Sequence, residues 1–181
     1  MKPIVIDHIL SENSFLHLNY ELIHGWNLSQ YPGGEKTPSA IPFWQKPDAM
    51  YTKFFHMLAH DVILKLKRYF PHNHLTFTGR IHTNSQSFGQ ESIYHQDYSE
   101  PNHIGLNICT EPIWNMEWGG SFDVYTDGWN VESVPYIPNR GIIFDPTQRH
   151  KGMSPTRYCL GRRTTVVFFY ELSPRSTNGQ P

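Results

Sequence analysis

The sequence is poor in cysteine, poor in charge and without a long apolar run. Its two cysteines, Cys109 and Cys159, cannot build a disulfide framework, and their separation matches no zinc-finger spacing. A reduced, cytoplasmic setting is therefore expected. Charged residues make up 17% of the 181 positions, with 15 Lys+Arg against 16 Asp+Glu and a formal net charge of -1. So near-neutral a balance argues against a chain held to nucleic acid by a broad basic face. No stretch approaches the roughly 20 apolar residues of a membrane span. Residues 1–10 carry Lys2, Asp7 and His8 in a broken apolar run and do not read as a signal peptide. Internal repeats and low-complexity segments are also lacking. One domain over residues 1–181 is expected, with no membrane partner.

Aromatic residues, by contrast, reach 14%, which excludes disorder as the general state. Histidine is abundant too, at 11 residues. It is the commonest metal ligand and changes charge near neutral pH. One mononuclear site uses only a few, so most of these histidines belong to the surface or the core.

Patterning divides the chain into a helical part over about 1–72, a β core over about 73–172 and a short tail, 173–181. Lys2 to Asp7 is a short apolar strand. Ser11 caps a helix running to about His24 and ended by Gly25. A Pro- and Gly-rich loop with Trp26, Tyr31, Phe43 and Trp44 follows, to about Pro47. Loops of this length are usually functional or mobile, so it is a candidate lid over a site; its aromatics equally suit a cap on the core. Tyr51, Phe55, Leu58, Val62, Leu66 and Tyr69 fall at helical spacing, which predicts a helix over 48–69. From Leu75 the period becomes two, over Leu75, Phe77, Gly79 and Ile81. Further strands are predicted over 92–98, 103–110, 120–126, 131–137, 141–144 and 163–171. Asp127-Gly128 and Pro138-Asn139-Arg140-Gly141 mark turns. Helices followed by evenly spaced short strands predict a mainly β, α+β jelly roll or small barrel.

His95-Gln96-Asp97 is the sharpest local feature. Residues two apart on a strand face the same way, so an imidazole and a carboxylate converge. His150 offers a second imidazole, after the apolar stretch Gly141-Ile142-Ile143-Phe144. Two histidines and one carboxylate make the facial triad of non-haem iron(II) oxygenases. A bare hydrogen-bonded His–Asp pair on a strand would look the same locally. Downstream, Gly161-Arg162-Arg163-Thr164-Thr165 opens an apolar strand. An arginine there can hold a carboxylate through its planar fork, with a Thr on the same face; an exposed basic turn is the plain alternative.

With Glu117-Trp118-Gly119-Gly120, these stretches resemble the Fe(II)- and 2-oxoglutarate-dependent oxygenases, in the prolyl-4-hydroxylase-like branch. The resemblance covers about Gly79 to Glu171, in the family's order and at about its spacings. It implies a double-stranded β-helix of about eight strands flanked by N-terminal helices. It also implies His95, Asp97 and His150 as iron ligands, and Arg163 as the partner of the distal carboxylate of 2-oxoglutarate. Arg163 and Thr165 fit the family's Gly-x-Arg-x-(Ser/Thr) frame, while Arg162 with Thr164 makes a second Arg-x-Thr frame. Some relatives place a tyrosine against 2-oxoglutarate where this chain has His82. Fe(II), 2-oxoglutarate and O2 are the implied cofactors and cosubstrates, with ascorbate as an accessory reductant. The carboxylate Asp97 points to hydroxylation, because halogenating relatives lack it.

The implied substrate is a peptidyl proline in a peptide or protein partner, with release of succinate and CO2. A free amino acid, another side chain or a nucleobase is the alternative; Arg149, Lys151, Arg157, Arg162 and Arg163 are all that favours a nucleobase. Arg80, Tyr94, Tyr98 and Trp44 are candidates for substrate contact, and Asn84 and Gln90 for further polar contacts. A cupin-like metal-binding isomerase or binding protein would keep His95, Asp97 and His150 without needing Arg163. A jelly-roll interaction module without metal is a third class. Monomer and dimer are both compatible with the sequence.

Overall fold

The computed structural model describes residues 1–29 and 43–175. Most of the expected lid, 30–42, lies outside the described residues.

Helix α1 spans Glu12–Glu21 and opens as expected, with the Ser14 amide donating to the Ser11 hydroxyl at 3.1 Å. The predicted helix over 48–69 is instead divided. A 3-10 turn, Pro47–Tyr51, precedes α2, Lys53–Leu66. Thr52 between them is extended (φ -83, ψ 121), and its hydroxyl donates to the Asp48 carbonyl at 3.0 Å. That local hydrogen bond competes with helix continuation. Helix α2 buries Phe55, Leu58, Ala59, Val62 and Leu66.

Among the described residues ten strands form two antiparallel sheets, which do not close into a barrel. They are β1 Ile4–Ile6, β2 Asn27–Ser29, β3 Phe43–Gln45, β4 Asn73–Gln86, β5 His103–Cys109, β6 Phe122–Tyr125, β7 Val131–Val134, β8 Gly141–Phe144, β9 His150–Gly152 and β10 Arg163–Pro174. The larger sheet has the order β1-β8-β5-β10-β4-β3-β2 and the smaller β7-β6-β9. Strands β1, β2 and β3 carry the part expected to be helical into the larger sheet. The jelly-roll expectation holds in its mainly β, two-sheet form.

Along β10 the side chains alternate between two cores. Thr164, Val166, Phe168 and Tyr170 face the helices, where Val166, Phe168 and Tyr170 join Leu18, Phe55 and Leu106, and the Tyr170 hydroxyl donates to the Ala59 carbonyl at 2.8 Å. Arg163, Thr165, Val167 and Phe169 face the smaller sheet, where Val167 and Phe169 pack with Cys109, Phe122, Val124, Tyr136, Ile142 and Phe144. That second layer lies between the two sheets.

Strand β4 reaches it through a bulge. Pairing with β10 shifts between Phe168↔Ile81 and Tyr170↔Phe77, so β4 carries two extra residues there. Gly79 sits in the bulge at φ +82, a conformation costly for any residue with a Cβ. The strand predicted over 92–98 does not form. His95 makes only an isolated bridge with His150, by amide-to-carbonyl bonds of 3.0 and 2.9 Å, while the Asp97 amide donates to the Pro146 carbonyl at 2.9 Å. This segment meets a strand of three residues, too short to support a full ladder.

Candidate metal and cosubstrate site

His95, Asp97 and His150 converge: one ligand atom from each lies within 4.8 Å of the others. His150 comes from β9 and is buried against Phe122 and Phe144, at ring separations of 5.5 and 4.6 Å. His95 lies on the solvent side, its ring 4.6 Å from that of His150. Extended backbone suffices to bring His95 and Asp97 to one side without a full strand.

Both imidazoles have a fixed orientation. His95 Nδ1 lies 2.9 Å from the Ile93 carbonyl, and His150 Nδ1 lies 2.8 Å from the Gln148 carbonyl. A carbonyl only accepts, so each Nδ1 carries the proton and each Nε2 is turned to the cluster. His150 Nε2 is 3.1 Å from Asp97 Oδ2. A lone pair and a carboxylate oxygen at that distance need a cation between them, either a proton or a metal ion. The donor set of two imidazoles and one carboxylate fits a divalent first-row metal.

The electrostatics agree. Burial pushes the Asp97 carboxyl up, but the His150 hydrogen bond and the electrostatic influence of the His150, His82 and His95 rings outweigh it and hold the pKa at about 2. Burial, then the neighbouring His150, lowers the pKa of His95 against the pull of the Ile93 hydrogen bond. Burial also lowers that of His82 to about 4, against the attraction of Asp97. His82 is thus a neutral imidazole at physiological pH. It accepts from Arg80 Nε at 3.0 Å, and its Nδ1 is 3.8 Å from Asp97 Oδ1.

A second polar group occupies the same inter-sheet layer. Arg163 is 2% exposed, and no acidic side chain among the described residues forms an ion pair with it. Its Nε donates to the Gly120 carbonyl at 2.6 Å and its Nη1 to Gln86 Oε1 at 3.1 Å, while Cζ stands 5.5 Å from the Tyr136 ring centre. Glycines make the space. A Cβ on Gly120 would lie 3.1 Å from Arg163 Cδ, and one on Gly152 would lie 2.8 Å from Nη1. Burial lowers the pKa of Arg163 without neutralising so strong a base. A buried guanidinium with only neutral hydrogen-bond partners has the chemistry to pair with an anion.

Two further buried polar residues face the same layer. Asn107 is 2% exposed, yet its Oδ1 is buried with no hydrogen-bond partner among the described residues. It stands opposite Val167, on the face shared with Thr165 and Arg163. Thr165 is buried on that face, opposite Cys109. Burial pushes the pKa of the Cys109 thiol up to about 11, leaving it an unreactive wall.

The other sequence candidates lie elsewhere. Arg162 faces away from this layer, with Cζ 5.6 Å from the Trp26 ring and 5.7 Å from Trp44. Trp44 pairs with Ser85, whose hydroxyl bonds that of Thr164, so Trp44 lies on the helix side of the sheet. The Tyr94 ring packs at a tilt against Tyr125, 4.6 Å between centres, with the Lys151 ammonium 4.7 Å from its ring centre. Tyr125 and Lys151 alternate with Val124 and His150, which places Tyr94 on the outer face of the smaller sheet. Tyr98 stacks on His103 at 4.1 Å and borders Arg80. The Asn84 side chain accepts from Gln45 Nε2 at 3.4 Å.

Sequence reasoning passed over Gln86, Asn107 and Tyr136. Asn107 did carry a signal: a lone amide in the apolar run Ile104-Gly105-Leu106-Asn107-Ile108. The partnership of Gln86 with Arg163 depends on strand register, which the sequence does not state.

Neither a family model nor a curated protein matches the chain. Solved structures do. A prolyl hydroxylase from Trichoplax adhaerens, in complex with a peptide fragment of the hypoxia inducible factor oxygen degradation domain, superposes with a TM-score of 0.69 at 13% identity, over 93% of this chain and 83% of that one. A prolyl-4-hydroxylase from Pseudomonas putida gives 0.66 at 11% identity, over 93% and 91%. HygX from Streptomyces hygroscopicus, with nickel and 2-oxoglutarate bound, gives 0.68 at 12% identity, over 93% and 82%. The chain thus has the fold of these 2-oxoglutarate-dependent oxygenases. At such identities the likeness speaks for the fold alone.

Proposed function

We propose that this chain is an Fe(II)- and 2-oxoglutarate-dependent dioxygenase that hydroxylates its substrate. The observation that carries this reading is the presence, in one inter-sheet layer, of the His95, Asp97 and His150 donors and of a buried Arg163 that no acidic side chain among the described residues pairs. A cupin-like metal protein would not need that guanidinium. The domain is taken as one unit over the whole chain, with its core in the two sheets.

In this reading His95, Asp97 and His150 hold the iron. Arg163 takes the distal carboxylate of 2-oxoglutarate, and Thr165 adds a hydroxyl on the same face. His82 acts behind Asp97, not on the cosubstrate. When bound, iron with 2-oxoglutarate and O2 supplies the oxidising chemistry: one oxygen atom enters the substrate C–H bond, and 2-oxoglutarate leaves as succinate and CO2. The chain's own part is positioning and exclusion of water. The buried Arg163 fixes the far end of the cosubstrate, and apolar walls from Val167, Phe169, Ile142 and Phe144 keep the layer dry. The Nδ1 bonds to the Ile93 and Gln148 carbonyls fix both rings with Nε2 toward the cluster, which reduces the reorientation metal binding requires.

A peptidyl proline is the substrate put first, supported by the fold shared with prolyl hydroxylases, one of which was solved with a peptide. The test is succinate formation with Fe(II) and 2-oxoglutarate across a panel of proline peptides, free amino acids and small polar molecules. His95→Ala is the control. Turnover stimulated by proline peptides and lost in His95→Ala is expected. Stimulation by another class would move the substrate, and metal binding without 2-oxoglutarate binding would favour the cupin reading.

A further inference from the structure

The Arg80 guanidinium bonds Asp97 twice, at its main chain and at its side chain. Nη1 donates to the Asp97 main-chain carbonyl at 2.7 Å and Nη2 to Asp97 Oδ1 at 3.2 Å. Its third edge, Nε, donates to His82 Nε2 at 3.0 Å. The group is itself held between rings, with Cζ 4.9 Å from the Tyr98 centre and 4.7 Å from Phe169. It reaches Asp97 from β4, one residue past the Gly79 bulge.

We propose that Arg80 is a positioning residue for the metal-binding carboxylate, fixing Asp97 with Oδ1 tied to the protein and Oδ2 alone presented to the imidazoles. This rests on the metal reading above. A free carboxylate turns about its last bond and presents either oxygen, or both. Holding the main-chain carbonyl and one carboxylate oxygen of the same residue removes that freedom. Oδ1 then faces Arg80 and, at 3.8 Å, His82 Nδ1, which carries the proton because Nε2 accepts from Arg80. Oδ2 faces His150 Nε2 at 3.1 Å. The arrangement enforces one-oxygen coordination and leaves metal positions for other ligands. The guanidinium also offsets the carboxylate charge, so a bound divalent ion keeps more of its attraction for an anionic cosubstrate. Lysine cannot substitute, since one ammonium does not span both oxygens and the imidazole in a plane.

The test loads the metal-free chain with Co(II) alone and reads its visible d–d bands, without substrate or turnover. Wild type is expected to bind one Co(II), and His150→Ala to lose tight binding. Arg80→Ala is expected to shift and broaden the bands, and millimolar guanidinium to return them toward wild type without altering wild type itself. Arg80→Lys should shift them too. His82→Gln, whose amide oxygen can accept from Arg80, should keep the wild-type bands, and His82→Leu should not. A folded Arg80→Ala or Arg80→Lys protein with wild-type bands would overturn the proposal, as would failure of guanidinium to move the Arg80→Ala spectrum. A wild type that takes up no Co(II) would overturn the metal reading itself, a separate and prior result.

Discussion

At the scale of single residues, two adjacent arginines take opposite roles because strand parity separates them. Arg163 enters the inter-sheet layer, whereas Arg162 stands near two tryptophans on the other face. Removing Arg163 should therefore weaken 2-oxoglutarate binding at least about tenfold, since a charge-assisted hydrogen bond contributes roughly 1.5–3 kcal/mol. Metal affinity should stay near wild type in Arg163→Met, and Arg162→Ala should bind both as wild type does. Calorimetric titration of each variant with Mn(II), then 2-oxoglutarate, separates these outcomes. The reverse pattern would place the cosubstrate at Arg162. The 3.1 Å contact between His150 Nε2 and Asp97 Oδ2 gives a second expectation. A metal ion held between these atoms competes with protons for the same imidazole and carboxylate lone pairs. Metal binding should release protons and weaken as pH falls, which titration in buffers of different ionisation enthalpy would reveal.

At the scale of elements, the site depends on close approach between strands. Gly120 lies at φ +75, and a Cβ there would meet both Arg163 Cδ and Trp114 Cζ2 at 3.1 Å. Gly120→Ala should cost about 1–3 kcal/mol of stability and also weaken 2-oxoglutarate binding by displacing Arg163. Denaturant unfolding and cosubstrate titration of the same variant check both. Elements with strong periodicity were legible in the sequence: α1 with its Ser11 cap, the buried run Gly141–Phe144 and the long strand from Arg163. Less legible were β2 and β3, set among Pro and Gly residues, and the break at Thr52, where one hydroxyl bond interrupts an otherwise helical pattern. The segment 92–98 looked like a strand because His95 and Asp97 share parity, yet only the bridge to His150 and the bond to Pro146 hold it.

At the scale of the whole molecule, the larger sheet serves both cores, and helix packing on one side rigidifies the chemistry on the other. His95, Asp97 and His150, singled out by order and spacing, lie within reach of one another, and Arg163 enters the same inter-sheet layer. The support around them was not legible in the sequence. Arg80 reaches Asp97 through a bulge, Gln86 reaches Arg163 through register, and Asn107 faces the layer through parity; none of these is local in sequence. Electrostatics adds a global expectation. The Asp97 pKa is depressed from 3.8 to about 2, so its stabilisation is present in full above 3.8 and is lost as pH falls through about 2. Metal-free wild type should lose about 2 kcal/mol more than Asp97→Asn over that range, measured by urea unfolding at each pH. No described helix is long and apolar enough to cross a membrane.

The most direct measurement is calorimetric binding of 2-oxoglutarate to the chain with and without Mn(II). Binding at one site that requires the metal and is lost in both His150→Ala and Arg163→Met is the expected result. Absence of binding to the metal-loaded protein, or binding indifferent to metal and to both substitutions, would contradict the account.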